Sequence, residues 1–237
     1  MSAIFKRELR AYFTSPIGYV VLAVCWIFSA WSFYDLYKYG APMISYVFGQ
    51  LFLIVLFMIP ILTMRLMSDD KRQKTDQILL TSPVRLSSIV FGKFLSALTI
   101  FGIAISGTVI FQIIIATQVQ TASAAGWPVF FGNLVGTLLL GASLIAIGVF
   151  ISSLTESQVV AAVASFAVSL FLIMMNWSQT QIQIAWIAAV LKWFSYQARY
   201  NEFTQGVFNY SNVLFFLSIT AVFLFLTVNS LNKKRWA

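Results

Sequence analysis

Histidine is absent from this chain of 237 residues, and cysteine occurs once, as Cys25. Haem, zinc and blue-copper sites draw their ligands from those two residue types, so none of them is expected. A single cysteine makes no disulfide within the chain and leaves the redox compartment unread. Charge is also scarce: 9% of residues are charged, with 7 acidic against 15 basic. No Asp or Glu falls near the middle of a long apolar run, where an ion-coupled carrier or proton relay places one. No phosphate-binding Gly-x-x-x-x-Gly-Lys-Ser/Thr loop, Gly-x-Ser-x-Gly elbow or His-Glu-x-x-His pair occurs. Internal repeats of the kind carriers show are not evident, nor is a set of acid, base and nucleophile for an enzyme. Any energy this protein uses is therefore expected to come from another chain.

What the chain has is apolar sequence. Hydrophobic residues make up 60% of it. They concentrate in six runs: Ile17–Tyr34, Met43–Met67, Phe91–Thr117, Val129–Ile151, Val159–Trp177 and Val213–Leu231. A helix needs about 20 apolar residues to cross a bilayer core. The expected fold class is an all-α polytopic membrane protein with six transmembrane helices. The first run is too long for a signal-peptide core and no small-residue cleavage site follows it, so it reads as a mature span.

The net charge of +8 does not point to nucleic acid. Lys6, Arg7 and Arg10 precede the first run, and Arg65, Lys71, Arg72, Lys74, Arg85 and Lys93 surround the connection between the second and third. Lys233, Lys234 and Arg235 follow the sixth, while Lys38, Lys192 and Arg199 fall on the other side. The excess of Lys and Arg on one face puts both termini in the cytoplasm, and six spans satisfy that parity. Membrane lipid is the expected partner of these clusters.

Between the runs lie short polar segments. Residues 1–14 form an amphipathic helix, with Phe5, Leu9, Tyr12 and Phe13 on one stripe and Lys6, Arg7 and Arg10 opposite, as expected of a helix in the interface plane. Ser15 is expected to cap the first span, with Pro16 at its first position. Pro60 lies late in the second run, where it is either a packing kink or a hinge. The loop 68–88 is the most polar stretch. Thr75 is a candidate N-cap there, Asp76 sits in the first turn where the helix dipole favours an anion, and Pro83 ends the helix at Ser82. That two-turn helix displays Ile78, Leu79 and Leu80 and needs something to dock on. Gly132 and Gly136 make a small-xxx-small pair in the fourth run. Ser153-Leu154-Thr155-Glu156 matches a capping box, which would start the fifth helix and make Glu156 a cytoplasmic cap. The outer stretch 176–212 holds a helix too short to span, followed by Arg199 and Glu202.

Three segments together resemble a type-2 ABC transporter permease, of the GldF/NosY-like branch. They are the opening Lys6-Arg7-Glu8-Leu9-Arg10-Ala11-Tyr12-Phe13-Thr14-Ser15-Pro16; the stretch Pro60-Ile61-Leu62-Thr63-Met64-Arg65-Leu66 with Ile78-Leu79-Leu80-Thr81-Ser82-Pro83-Val84; and Ser152-Ser153-Leu154-Thr155-Glu156-Ser157-Gln158. The resemblance implies a single transmembrane domain over 1–237, with an interfacial helix at 1–14, a coupling helix at Thr75–Ser82 and re-entrant helices at 182–206. It implies the permease subunit of an exporter driven by a separate ABC ATPase in two copies. A second permease copy or a paralogue would complete the pathway, with an extracytoplasmic auxiliary subunit as a further partner. The chain itself would be non-catalytic and hold no cofactor, while ATP and Mg bind the ATPase. The bacterial cytoplasmic (inner) membrane is its implied location. Asp69, Asp70, Lys71, Arg72, Thr75, Asp76, Ile78, Leu79 and Leu80 would contact the ATPase, with Ser153 and Glu156 as a second, smaller contact. The alternative is a gliding-type scaffold that passes ATPase motion to an extracytoplasmic partner without moving a solute. The chain departs from the family pattern at Lys74-Thr75-Asp76-Gln77, where Gly-Thr-Ile-Glu is common, and at Ala198-Arg199-Tyr200, where Ser-His-Phe is common. The role of that histidine does not carry over.

Overall fold

Long apolar runs without water to satisfy their backbone must bond within themselves, so they form helices. The computed structural model describes residues 2–38, 44–75, 84–118, 126–181 and 195–236, with the side chains of 118, 176–181 and 234–236 outside the description. The described residues are helical, with no strand among them. The helices are α1 (Ser2–Thr14), α2 (Pro16–Lys38), α3 (Ile44–Thr63), α4 (Ser68–Arg72), α5 (Leu86–Ser106), α6 (Thr108–Gln118), α7 (Trp127–Leu154), α8 (Gln158–Gln181), α9 (Tyr196–Thr204) and α10 (Tyr210–Trp236). Six segments are long and apolar enough to cross a membrane: Pro16–Lys38, Ile44–Arg72, Leu86–Thr117, Trp127–Leu154, Gln158–Met175 and Tyr210–Lys233. The protein is an all-α polytopic membrane protein.

The spans are not equivalent. In the second and fourth, 61% and 67% of the most apolar window is buried, against 17% in the fifth, so α3 and α7 form the core. Helix α7 packs against α10, α3, α9, α5 and α8. Close approach is possible because α7 is small where it meets bulky neighbours. A Cβ at Gly136 would lie 2.6 Å from Phe203 Cβ on α9, and one at Gly148 would collide with the Thr63 side chain on α3. Gly136, one member of the expected small pair, is thus a packing position.

Two spans are interrupted. The third starts at Leu86, five residues ahead of the expected run, and breaks at Gly107 between α5 and α6. Trp26 of α2 crosses there, its indole Nε1 donating to Ala104 O at 3.0 Å. The second ends as a regular helix at Thr63, three residues after Pro60, and resumes as α4.

Candidate functional site

Four segments distant in the chain meet at one end of the bundle: α1, α4, the start of α5 and the α7–α8 connection. The meeting point is the break at 64–67, whose backbone groups need partners from elsewhere. Tyr12 OH donates to Leu62 O at 2.7 Å. Ser152, near the end of α7, donates to Met64 O at 3.1 Å and accepts from Met67 N and Ser68 N, both at 3.1 Å. Those two amides open α4, whose own N-cap residue Met67 offers no side-chain acceptor. Ser152 therefore caps α4 from another helix. Lys71 Nζ donates to Ser153 O, and Lys93 Nζ to Leu66 O.

The charges here are paired. Lys93 lies in the second turn of α5 and is 1% exposed. Its ammonium is 3.0 Å from Glu8 Oε1 and 2.7 Å from Asp70 Oδ2. Arg7 Nη2 closes the square, 2.6 Å from Glu8 Oε1 and 3.4 Å from Asp70 Oδ2. Thr75 Oγ1 donates to Asp70 Oδ1 at 3.0 Å. Asp69 Oδ1 accepts from Gln158 Nε2 at 2.9 Å and from Gln73 Nε2 at 3.2 Å, which ties α4 to the start of α8. Beside this, Arg65 donates to Ser15 Oγ at 2.7 Å and Ala11 O at 3.2 Å, with its guanidinium over the Tyr12 ring.

Several expectations change. The buried residues of α1 are Glu8 and Tyr12; Tyr12 and the partly buried Leu9 of the expected stripe face inward, whereas Phe13 is exposed and Glu8, not expected there, joins the inward face. A carboxylate faces inward there because Lys93 waits for it. The hydroxyl of Ser15, expected as a cap for α2, is engaged by Arg65. The capping box at Ser153–Glu156 is not formed. Helix α7 continues through Ser153 to Leu154, and α8 begins only at Gln158. Its cap is Ser157, whose Oγ accepts from Val160 N at 3.4 Å. Ser153 is buried, its Oγ donating to Phe150 O, while Glu156 is exposed on the connection. Of the charged quartet 69–72, Asp70 and Lys71 are held internally, and Arg72 is the exposed one. Asp76, Ile78, Leu79 and Leu80 lie outside the described residues, as does 182–194 of the outer segment.

Glu8, Lys93 and Ser152 were not singled out from the sequence. Glu8 lies in the opening segment of the resemblance and Lys93 among the basic residues around the second connection, but they are 85 positions apart and no local pattern pairs them. The one available signal was a lysine inside the apolar beginning of a span, which is costly unless paired.

At the other end of the bundle, Arg199 and Glu202 share Asn212. Arg199 Nη1 donates to Asn212 Oδ1 at 2.9 Å, and Asn212 Nδ2 donates to Glu202 Oε2 at 2.7 Å. Arg199 also stacks on Phe215, 4.2 Å from its ring centre. Tyr200, fully buried, donates to Phe48 O at 2.8 Å and lies 2.9 Å from Thr137 Oγ1. Helix α9 is thereby bonded to both core spans.

Among the described residues no group of acidic, His or Cys side chains could hold a metal. The geometry is that of a structural junction with exposed edges. Among curated proteins none matches the chain. The family model described as ABC-2 family transporter protein matches residues 2–236, nearly the whole length, and the chain belongs to that family.

Proposed function

We propose that this chain is the permease subunit of an ATP-driven exporter of the GldF/NosY-like branch, set in a bacterial cytoplasmic membrane with both termini in the cytoplasm. A separate ABC ATPase, in two copies, binds ATP and Mg and engages the loop that follows α4. A second permease copy or a paralogue completes the pathway, and an extracytoplasmic auxiliary subunit is a further partner.

The observation that carries this reading is the convergence at α4. The opening helix, the loop after the second span and the fourth-to-fifth connection are the three segments behind the resemblance. They are bonded to one five-residue helix, through contacts that join residues up to 89 positions apart. A force applied to the loop beyond Thr75 reaches α1, α5, α7 and α8 through named hydrogen bonds and ion pairs. Lys71 and Asp70 act inside that junction. Arg72 and Glu156 stand on its exposed edge, and Ile78, Leu79 and Leu80 of the loop are the proposed ATPase contacts.

Co-purification with an ABC ATPase co-expressed with this chain tests the proposal. Leu79→Asp and Arg72→Glu should retain the complex yet lose stimulation of ATP hydrolysis by the permease. Wild-type assembly and wild-type stimulated hydrolysis in both variants would remove the coupling assignment.

A further inference from the structure

A cleft of about 540 Å³ opens between α2 and α3 and has no part in the α4 junction. That is within the usual size of small-molecule sites, roughly 300–1,000 Å³. Its walls are apolar and partly aromatic, formed by Val24 and Phe28 from α2 and Leu53 and Phe57 from α3. These four are 37–49% exposed, so the wall is accessible from the side of the bundle. At the end remote from α1 the lining turns polar, with Asp35, Tyr46 and Gln50. Trp31, 69% exposed, stands one helical turn before Asp35.

Asp35 is the one charged side chain on this lining. Unlike Glu8, Asp70 and Glu202, it makes no hydrogen bond or ion pair with another described residue. A carboxylate at the rim of an apolar slot favours an opposite charge held beside it. Aromatic faces such as Trp31 and Tyr46 attract the same kind of head, above all an ammonium without strong hydration. Below them the slot offers only hydrocarbon and rings, which suit a chain or an aryl tail.

We propose that the α2–α3 cleft binds a cationic amphiphile, with its ammonium head at Asp35 and its tail along Val24, Phe28, Leu53 and Phe57. The binding site stands by itself. Its use as a station for exported cargo rests on the permease reading above, and it would narrow the cargo to amphiphiles with a positive head.

Binding can be measured without nucleotide or ATPase, so it fails or succeeds independently of that reading. The full chain is placed in nanodiscs of zwitterionic lipid. Dodecyltrimethylammonium is titrated against intrinsic tryptophan fluorescence, with dodecyl maltoside as the neutral-headed control. The expected result is saturable binding of the cation alone, weakened about tenfold in Asp35→Asn, in line with loss of a charge-assisted contact. Leu53→Trp, which fills the slot and leaves the head site intact, should also weaken it. Wild-type affinity in Asp35→Asn, or equal binding of the neutral amphiphile, overturns the proposal. So does a cleft covered by a second copy of the chain, seen as Leu53→Cys crosslinking between copies at full yield with no cation binding.

Discussion

An ammonium that is 1% exposed has lost almost all of its hydration and must recover it from the protein. Lys93 does so through Glu8, Asp70 and Leu66 O. The arrangement is asymmetric. Arg7 is half in water, its side chain 47% exposed, so its pairs are of the surface kind and contribute about 0–1 kcal/mol. Lys93 has no such outlet. Removing one partner from a buried pair leaves an uncompensated charge and costs about 3–5 kcal/mol. Lys93→Met should therefore destabilise strongly, because Glu8 and Asp70 are left facing each other with only Arg7 between them. Arg7→Ala should be nearly silent. Adding Glu8→Gln to Lys93→Met should recover part of the loss by removing the repulsion. Thermal unfolding of the purified chain in one detergent checks all three. Equal effects of Arg7→Ala and Lys93→Met would refute the asymmetry.

Helix α4 is five residues long and cannot persist on its own propensity. Its first amides are capped by Ser152, 85 and 84 positions away. Ser152→Ala removes that acceptor and leaves two buried amides unpaired, at about 1–3 kcal/mol each if nothing relaxes. Amide hydrogen exchange at 67–70 should accelerate in Ser152→Ala, while exchange in the middle of α7 stays slow. Unchanged protection at 67–70 would mean that the cap contributes nothing. This device also marks the limit of what could be read from sequence. Six spans were legible because each must supply its own length of apolar residues. Arg72 and Glu156 were named from the sequence, one as an ATPase contact and the other as a helix cap, and both are exposed. The capping box was misread because Ser153–Glu156 satisfies a local rule that α7 overrides by continuing to Leu154. Ser152, Glu8 and Lys93 were illegible for the same reason in reverse. Their chemistry depends on partners from other elements, and no local pattern carries that.

Across the whole bundle, both ends of the α3–α7 core are stitched. At one end Ser152 and Lys71 bond α4 to the end of α7, and Thr63 seats against Gly148. At the other, Tyr200 bridges Phe48 and Thr137, and Phe203 fills the space over Gly136. Pro60 lies between these ties, buried against α7 and α8 residues such as Leu144 and Ser165. Two motions are open to such a molecule. Helix α4 could swing about Pro60 while α7 and α8 stay in place, or the core could turn as one body together with α4. The first requires breaking Ser152, Lys71 and Asp69 contacts at once. The second keeps them and moves the outward-facing span α2 against the core instead, only 28% of its most apolar window being buried. The ties predict the second, in which Pro60 serves as a packing kink; in the first it is the hinge. The two are separable by bridging α4 to α8. Asp69→Cys with Gln158→Cys, in a Cys25→Ala background so that no other thiol remains, can be joined by a short dithiol crosslinker. Stimulated ATP hydrolysis by the assembled complex should survive the crosslink if the junction moves as a unit. Loss of stimulation on crosslinking, restored on cleaving the linker, would show that α4 must part from α8 and would return the hinge to Pro60.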